Sequence, residues 1–289
     1  MEKAFNFGLS ANVSYTYADS KVIIDGVGDQ PGSAWKALVS QRGTNNKELG
    51  YASYVMPHRI VANVSYAKDY AKYFGSQISL SYYGGPRGRA NIDYVSNVFG
   101  DGAYNYSLID IPTYEDLYGD KGWGTGNWTF KDQTDKEGNI TYSAAEQCED
   151  FWKYIQSNDY LKSHTGSVNE RNAVVSPWVH TFDLKFNQNF YFYTGAKHKK
   201  HTVQLGVDVE NFANLLSPYW GNVYSINAGD GYGNAIPVNL TNAKAVYTTG
   251  AKPVFQYQKN GSDRLTDLYS VSNGFSSTWQ IIFNLRYIF

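Results

Sequence analysis

Cysteine is almost missing from this chain: Cys148 is the single one in 289 residues. That excludes an internal disulfide framework and a cysteine-based zinc site. Charge of one sign is missing too. Lys and Arg number 25 against 26 Asp and Glu, a net charge of −1, so nothing electrostatic favours nucleic acid, and no nucleic-acid partner is expected. No apolar run approaches the roughly 20 residues of a transmembrane helix. A leader peptide with a continuous apolar core is also lacking, because "MEKAFNFGLS" passes straight into an alternating pattern. The five histidines are scattered, the nearest pair being His198 and His201 in "AKHKKH". G-x-S-x-G, H-E-x-x-H and P-loop motifs are absent. The expectation is therefore no catalytic residue, no metal, no cofactor and no enzyme.

What the chain has is tyrosine, 26 of them, with 27 glycines and 17% aromatic residues, at a mean hydropathy of −0.47. Abundant Tyr and Gly with little helix signal suggest many strands joined by polar loops. The first strand signal is "FNFGLSANVSYTYADS". Phe5, Phe7, Leu9, Ala11, Val13, Tyr15 and Tyr17 alternate with Asn6, Gly8, Ser10, Asn12, Ser14, Thr16 and Ala18. Period-two alternation of this length reads as a strand with one apolar face. Similar patterns cover Ile60–Tyr66, Phe74–Tyr83, Trp178–Asn187 and Val203–Glu210, and a sixth closes the chain in "WQIIFNLRYIF".

The connections between these six strands alternate in length. Long ones cover about residues 21–56, 86–175 and 213–276, with short ones at "AKDYAKY" and "YTGAKHKK". One-face alternation alone also fits a soluble sandwich, whose hairpin loops mostly run to about 2–5 residues. Alternating short turns and long loops instead fit an outer-membrane barrel. So do aromatics near strand ends (Tyr15, Tyr17, Tyr66, Tyr82, Tyr83, Trp178, Trp279 and Tyr287) and the final Phe289. The expected fold class is all-β: an antiparallel transmembrane β-barrel segment with long extracellular loops and one short loop helix. Six strands cannot close a membrane barrel, which starts at about eight. Residues 1–289 are thus expected to be the C-terminal strands of a larger barrel, with Met1 an internal or artificial start.

The long loops carry a resemblance. "VFGDGAYNYSLIDIP", "ERN" through "PWVHTFDLKFNQNF" and "VDVENFANLLSPYWG" occur in that order. This resembles the C-terminal barrel region of TonB-dependent outer-membrane receptors of the Bacteroidota. The Oar-like group, with a carboxypeptidase-regulatory-like domain, is the nearest resemblance and the SusC/RagA group the second. The resemblance implies a barrel of about 22 strands whose plug, TonB box and signal peptide precede this chain. It implies active import of a bulky nutrient across the outer membrane, with loops extracellular and the C-terminus periplasmic. Implied partners are outer-membrane lipid, the barrel-assembly machinery, the TonB complex through the missing part, and a surface lipoprotein. The alternative is a surface-exposed binding or adhesin-type barrel without uptake.

Candidate residues follow. Phe289, Tyr287 and Leu285 resemble the C-terminal signal read by the assembly machinery, and the same residues would face lipid. Trp123, Trp128, Trp220, Tyr104, Tyr106 and Tyr232 fall in loops at the expected mouth, where aromatics stack on ligands or pack loop on loop. "SAAEQCEDFWKYIQS" reads as a helix with a Ser143/Glu146 capping box and an apolar side of Phe151, Trp152, Tyr154 and Ile155, either a lid or a packing element. Acidic glycine turns such as "DQTDKEGN" and "NAGDGYGN" offer oxygen to Ca²⁺. None has EF-hand spacing, and Asp-Gly is an ordinary turn. Asp183, Lys185, Asp208, Glu210, Asn284 and Arg286 alternate onto the polar face.

Overall fold

The structure, a computed structural model, describes residues 1–289 except 26–27, 96, 104–106, 120–127, 196–198 and 232. It is a mostly β protein, 45% strand and 16% helix, built on one seven-stranded antiparallel sheet that does not close into a barrel. In chain order the strands are β1 (Glu2–Ala4), β2 (Leu9–Tyr17), β3 (His58–Tyr70), β4 (Phe74–Pro86), β5 (Trp178–Thr194), β6 (Lys199–Glu210) and β7 (Gln280–Ile288). Each pairs with its sequence neighbour, so the sheet is a meander from β1 to β7.

The six sequence patterns all lie in this sheet, and β1 is an addition. Phe5 and Phe7 prolonged the alternation but sit in the turn between β1 and β2. Gly8 closes that turn at φ 99°, and a Cβ there would lie 2.1 Å from the Ala67 carbonyl oxygen. Only glycine meets both demands. The second short turn also moves: "AKDY" continues β3, and the chain reverses at Ala71–Tyr73. In place of one short loop helix, six α-helices occur among the described residues, Ala144–Gln156 being the longest. None of them is long and apolar enough to cross a membrane.

Register gathers the apolar residues onto one face. Ile281 opposes Val209, then Leu184, Leu80, Val64 and Ala11 across successive strands. That row begins at the second residue of β7 and ends at the third of β2, although the two strands run in opposite directions. It therefore crosses the sheet from its long-loop end to its short-turn end, the stagger that barrel strands show. Val13, Val64, Ile78, Leu80, Phe186, Leu205, Phe283 and Leu285 all stand exposed on this face.

Aromatic rows flank the aliphatic band. At the long-loop end Tyr15 and Tyr82 hydroxyls meet His58 and His180 Nδ1 at 2.9 and 2.7 Å, and Trp178 stacks between the two imidazoles. At the short-turn end Tyr70 stacks on Phe74, which meets Phe190 edge-to-face, and Phe192, His201, Tyr287 and Phe289 form a continuous stack. Tyr83, expected in such a row, is on the polar face opposite Val61 and Thr181. That face is knitted by Ser10–Ser65, Asn63–Ser81 and Gln204–Asn189 hydrogen bonds and the 3.0 Å Lys185–Asp208 pair.

The packed core lies elsewhere. Among the described residues the buried apolar side chains include one from the seven strands, Val179. The rest belong to the long connections, residues 18–57, 87–177 and 211–279, which fold together as a cap on one end of the sheet. Its centre is a four-stranded sheet of Thr129–Phe130, Val254–Tyr257, Ala235–Leu240 and Ile92–Tyr94.

Candidate functional site

The Ala144–Gln156 helix starts as the sequence dictates. Ser143 Oγ accepts from the Glu146 amide while Glu146 accepts from the Ser143 amide, closing the capping box. Cys148, Phe151, Tyr154 and Ile155 form its buried stripe, whereas Trp152 is only half-buried. Gln147 is wholly buried and bridges two connections. Its Nε2 donates to the Lys131 and Tyr142 carbonyls at 2.8 and 3.0 Å, and its Oε1 accepts from the Tyr257 amide at 2.9 Å. Asp150 accepts from the Tyr142 hydroxyl at 2.7 Å and from Arg264. These bonds favour the packing role for the helix over a mobile lid.

The two most specific sequence stretches now have physical roles. Glu170, Arg171 and Asn172 of "ERN" each reach back to the first connection. Glu170 pairs with Lys21 at 2.7 Å, Arg171 donates to the Val22 and Ile23 carbonyls, and Asn172 donates to the Tyr51 carbonyl and Asp25. In "VDVENFANLLSPYWG", Asn211 takes the left-handed conformation at φ 51° and its side chain donates to the Gly221 carbonyl. Asn214 donates to the Trp220 carbonyl. The loop therefore folds back, and Tyr219 and Trp220 come to line a cleft of about 410 Å³ with Trp178, His180 and Phe182. The last three belong to the apolar face of the sheet.

Trp128 is in a different place. It is 4% exposed and stacks 4.2 Å from Phe255 in the cap core. Its edge borders a cleft of about 450 Å³ shared with Tyr94, Asp110, Asp116, Ser167 and Phe255. A second cleft of about 360 Å³, with Tyr160, His164, Glu170 and Arg171, lies across Ser167 and Val168. In the first, burial raises the Asp110 carboxyl above the usual carboxylate range, and the Tyr94 hydroxyl donates to it at 3.2 Å. Asp116 is committed to capping Thr113. The rings of Tyr94, Trp128 and Phe255 are nearly fully buried, so the cleft presents their edges beside the Asp110 carboxyl, a polar group that can exchange hydrogen bonds with a ligand.

Of the other candidates, Trp123, Tyr104, Tyr106, Tyr232 and His198 lie outside the described residues. Leu285, Tyr287 and Phe289 are exposed on the apolar face, and the Tyr287 hydroxyl meets His201 Nδ1 at 2.6 Å. The structure thus separates Trp128 from Trp220 instead of joining them in one mouth. Sequence reasoning missed Tyr94, Asp110, His164 and Phe255, which lie in short segments without a repeating pattern. Thr113-x-x-Asp116 was the one readable signal there, a capping box preceding a single helical turn. Ser163 Oγ lies 3.0 Å from His164 Nδ1, but both also bond helix-end carbonyls. That makes the pair a cap, and among the described residues no third side chain hydrogen-bonds the imidazole to orient it as a base.

No family model matches the chain, and neither a curated protein nor a solved structure matches it.

Proposed function

We propose that this chain is the C-terminal strand segment of an outer-membrane barrel that imports a bulky nutrient in a TonB-dependent way. Its cap faces the outside and its short turns face the periplasm. The observation that carries the reading is the bare apolar face between two aromatic rows. From His180 to Phe190 is ten residue steps, about 34 Å of strand. At the tilt of about 35–45° found in membrane barrels this projects to about 24–28 Å, against an apolar band of about 25 Å. Monomeric soluble proteins rarely leave such a continuous patch in water. The register stagger, the loop asymmetry and the Oar-like resemblance of the loops support the same reading.

In this reading the aromatic–carboxylate clefts of the cap capture the nutrient, and a plug upstream of Met1 is displaced by force transmitted through TonB. Outer-membrane lipid covers the apolar face, Trp220 and Tyr219 anchor at the outer interface, and the strands missing from the sheet edges precede this chain. Phe289, Tyr287 and Leu285 serve both lipid contact and recognition by the assembly machinery. The chain performs no catalysis.

Single cysteines in the complete gene product test the topology, and within this chain the one native cysteine, Cys148, is buried. Gly138→Cys in the cap should react with a membrane-impermeant maleimide on intact cells. Lys72→Cys in a short turn should react only after the outer membrane is permeabilised. Equal labelling at both sites on intact cells would sink the orientation. Ligand binding at the cell surface without uptake, whether TonB is present or absent, would turn the reading toward the binding-only barrel.

A further inference from the structure

The cleft of about 410 Å³ that Tyr219 and Trp220 line has fixed walls. One wall is β5, where Trp178, His180 and Phe182 follow one another in two-residue steps on the apolar face. The other is the loop after Asn211, tied down by the Asn211 and Asn214 bonds to the Gly221 and Trp220 carbonyls. Gly221 is required in that loop: its φ is 66°, and a Cβ would collide with Asn211 Oδ1. Tyr219 is nevertheless 85% exposed and Trp220 56%. Large exposed rings on a locked loop make a pre-organised surface, one that loses little freedom when something binds.

A second trough, of about 460 Å³, runs over Val64, Leu80 and Tyr82 and shares His180 and Phe182 with the first. The two adjoin along the strands, aromatic at the long-loop end and aliphatic toward the middle of the sheet. Neither lining contains Lys, Arg, Asp or Glu. At the aromatic end the Trp178 and Trp220 indole N–H groups and the Tyr219 and Tyr224 hydroxyls make no hydrogen bond among the described residues. Apolar walls carrying a few unanswered polar groups are the mark of a ligand site.

We propose that the joined troughs hold one glycolipid molecule, an inference that rests on the outer-membrane reading above. Its uncharged sugar headgroup sits among Trp178, Tyr219, Trp220 and Tyr224, and its acyl chain runs over Phe182, Leu80 and Val64. Both troughs open on the apolar face, so the occupant enters from the bilayer and not from the solution above the cap. The polar groups select the headgroup. A phosphate would find no cation in the lining to pair with. An ammonium only donates, so it would leave the indole N–H groups unanswered. Sugar hydroxyls donate and accept, and the C–H face of a sugar ring lies flat on Trp or Tyr while their N–H and O–H reach its edge.

The test reconstitutes the complete protein in phosphatidylethanolamine vesicles doped with glucosyl diacylglycerol that carries a photoreactive diazirine on one acyl chain. Crosslinks are mapped by mass spectrometry at Phe182 and Leu80, and at Phe283, two strands away on the same face. The expected result is crosslinking at Phe182 and Leu80 that excess unlabelled glucosyl diacylglycerol removes, with only weak crosslinking at Phe283. Trp220→Ala, a change at an exposed ring, should cut the Phe182 signal roughly tenfold, the effect of losing one anchor from a binding site, and leave Phe283 as it was. Equal, uncompeted labelling of Phe182 and Phe283 marks ordinary boundary lipid, which overturns the inference and leaves the barrel reading standing. Diazirine-labelled phosphatidylethanolamine that favours Phe182 as strongly as the glycolipid does overturns the choice of headgroup. Labelling of neither residue by either lipid overturns the barrel reading and this inference with it.

Discussion

Phe283 and Phe255 are the same residue in the two halves of this molecule. Phe283 stands mid-strand in β7 and is 79% exposed, while Phe255 is 5% exposed and stacked on Trp128 in the cap. The sheet holds its shape by ladders of backbone hydrogen bonds and leaves its apolar face empty. The cap holds its shape by burying Ile92, Phe151, Tyr154, Tyr257 and Leu268 against one another. A full burial of each large apolar side chain is worth roughly 1.5–3 kcal/mol. The cap realises that term internally, and the sheet can realise it only against something outside itself. The same residue types therefore mean opposite things in the two regions: a core in one, a solvent preference in the other.

The largest effect that separates the two is truncation of Trp128 to alanine. In a packed core this costs about 3–5 kcal/mol. It should open the cap strands to hydrogen exchange while β5–β7 remain protected. Equal loss of protection in β5–β7 would mean that sheet and cap fold as one unit and would dissolve the distinction. Next comes Phe283→Arg, at about 2–4 kcal/mol if the apolar face lies at the bilayer midplane. Urea unfolding in lipid vesicles measures it. The neighbouring Asn284→Arg, on the polar face, should change stability by much less. Indifference to both substitutions would show that no lipid covers the face.

A third probe sits inside the cap. Gln147→Leu keeps the size of the side chain but leaves the Tyr257 amide and two carbonyls without their buried partner. Orphaning such groups costs about 1–3 kcal/mol, read as faster exchange at Val254–Tyr257. No change there would mean that water replaces the amide, and that the cap interior is wetter than its packing indicates.

The sheet was legible because its period is local. Leu9 through Tyr17 state their alternation within nine residues, and the alternating loop lengths state the meander. Where the reading slipped, a side chain imitated the pattern. Phe5 and Phe7 continued the rhythm through a turn that the backbone of Gly8 demands. Tyr83 resembled its neighbour Tyr82 yet points to the other face, because adjacent strand residues always do. The cap was not legible for the opposite reason. Gln147 meets Tyr257 across 110 positions, and Asn91 meets Asn234 across 143. The segments involved are often two to four residues long, too short to carry a period. For Trp128 the sequence left ligand contact and loop-on-loop packing open, because it lies in a loop, and the structure shows packing. Its burial is decided by Phe255 and Phe151, which no local pattern connects to it. The helix at Ala144 was the one cap element readable in advance, since its capping box and apolar stripe are both local.

The smallest expected effect concerns the polar face of the sheet. Lys185 and Asp208 pair at 3.0 Å, with half of the lysine side chain and a quarter of the aspartate side chain exposed, and Asn284 Nδ2 also donates to Asp208 at 2.9 Å. If this face meets water, Lys185→Ala should cost no more than about 1 kcal/mol, as solvated ion pairs do. A plug packed against the same face would strip that solvent away. Removing the lysine would then leave Asp208 buried with its charge uncompensated, a loss of about 3–5 kcal/mol. Unfolding of the Lys185→Ala protein with and without the upstream region distinguishes the two. A small cost in both settings would leave the polar face as an open channel wall. A cost that grows only when the upstream region is present would identify that region as the body the polar face is built to hold.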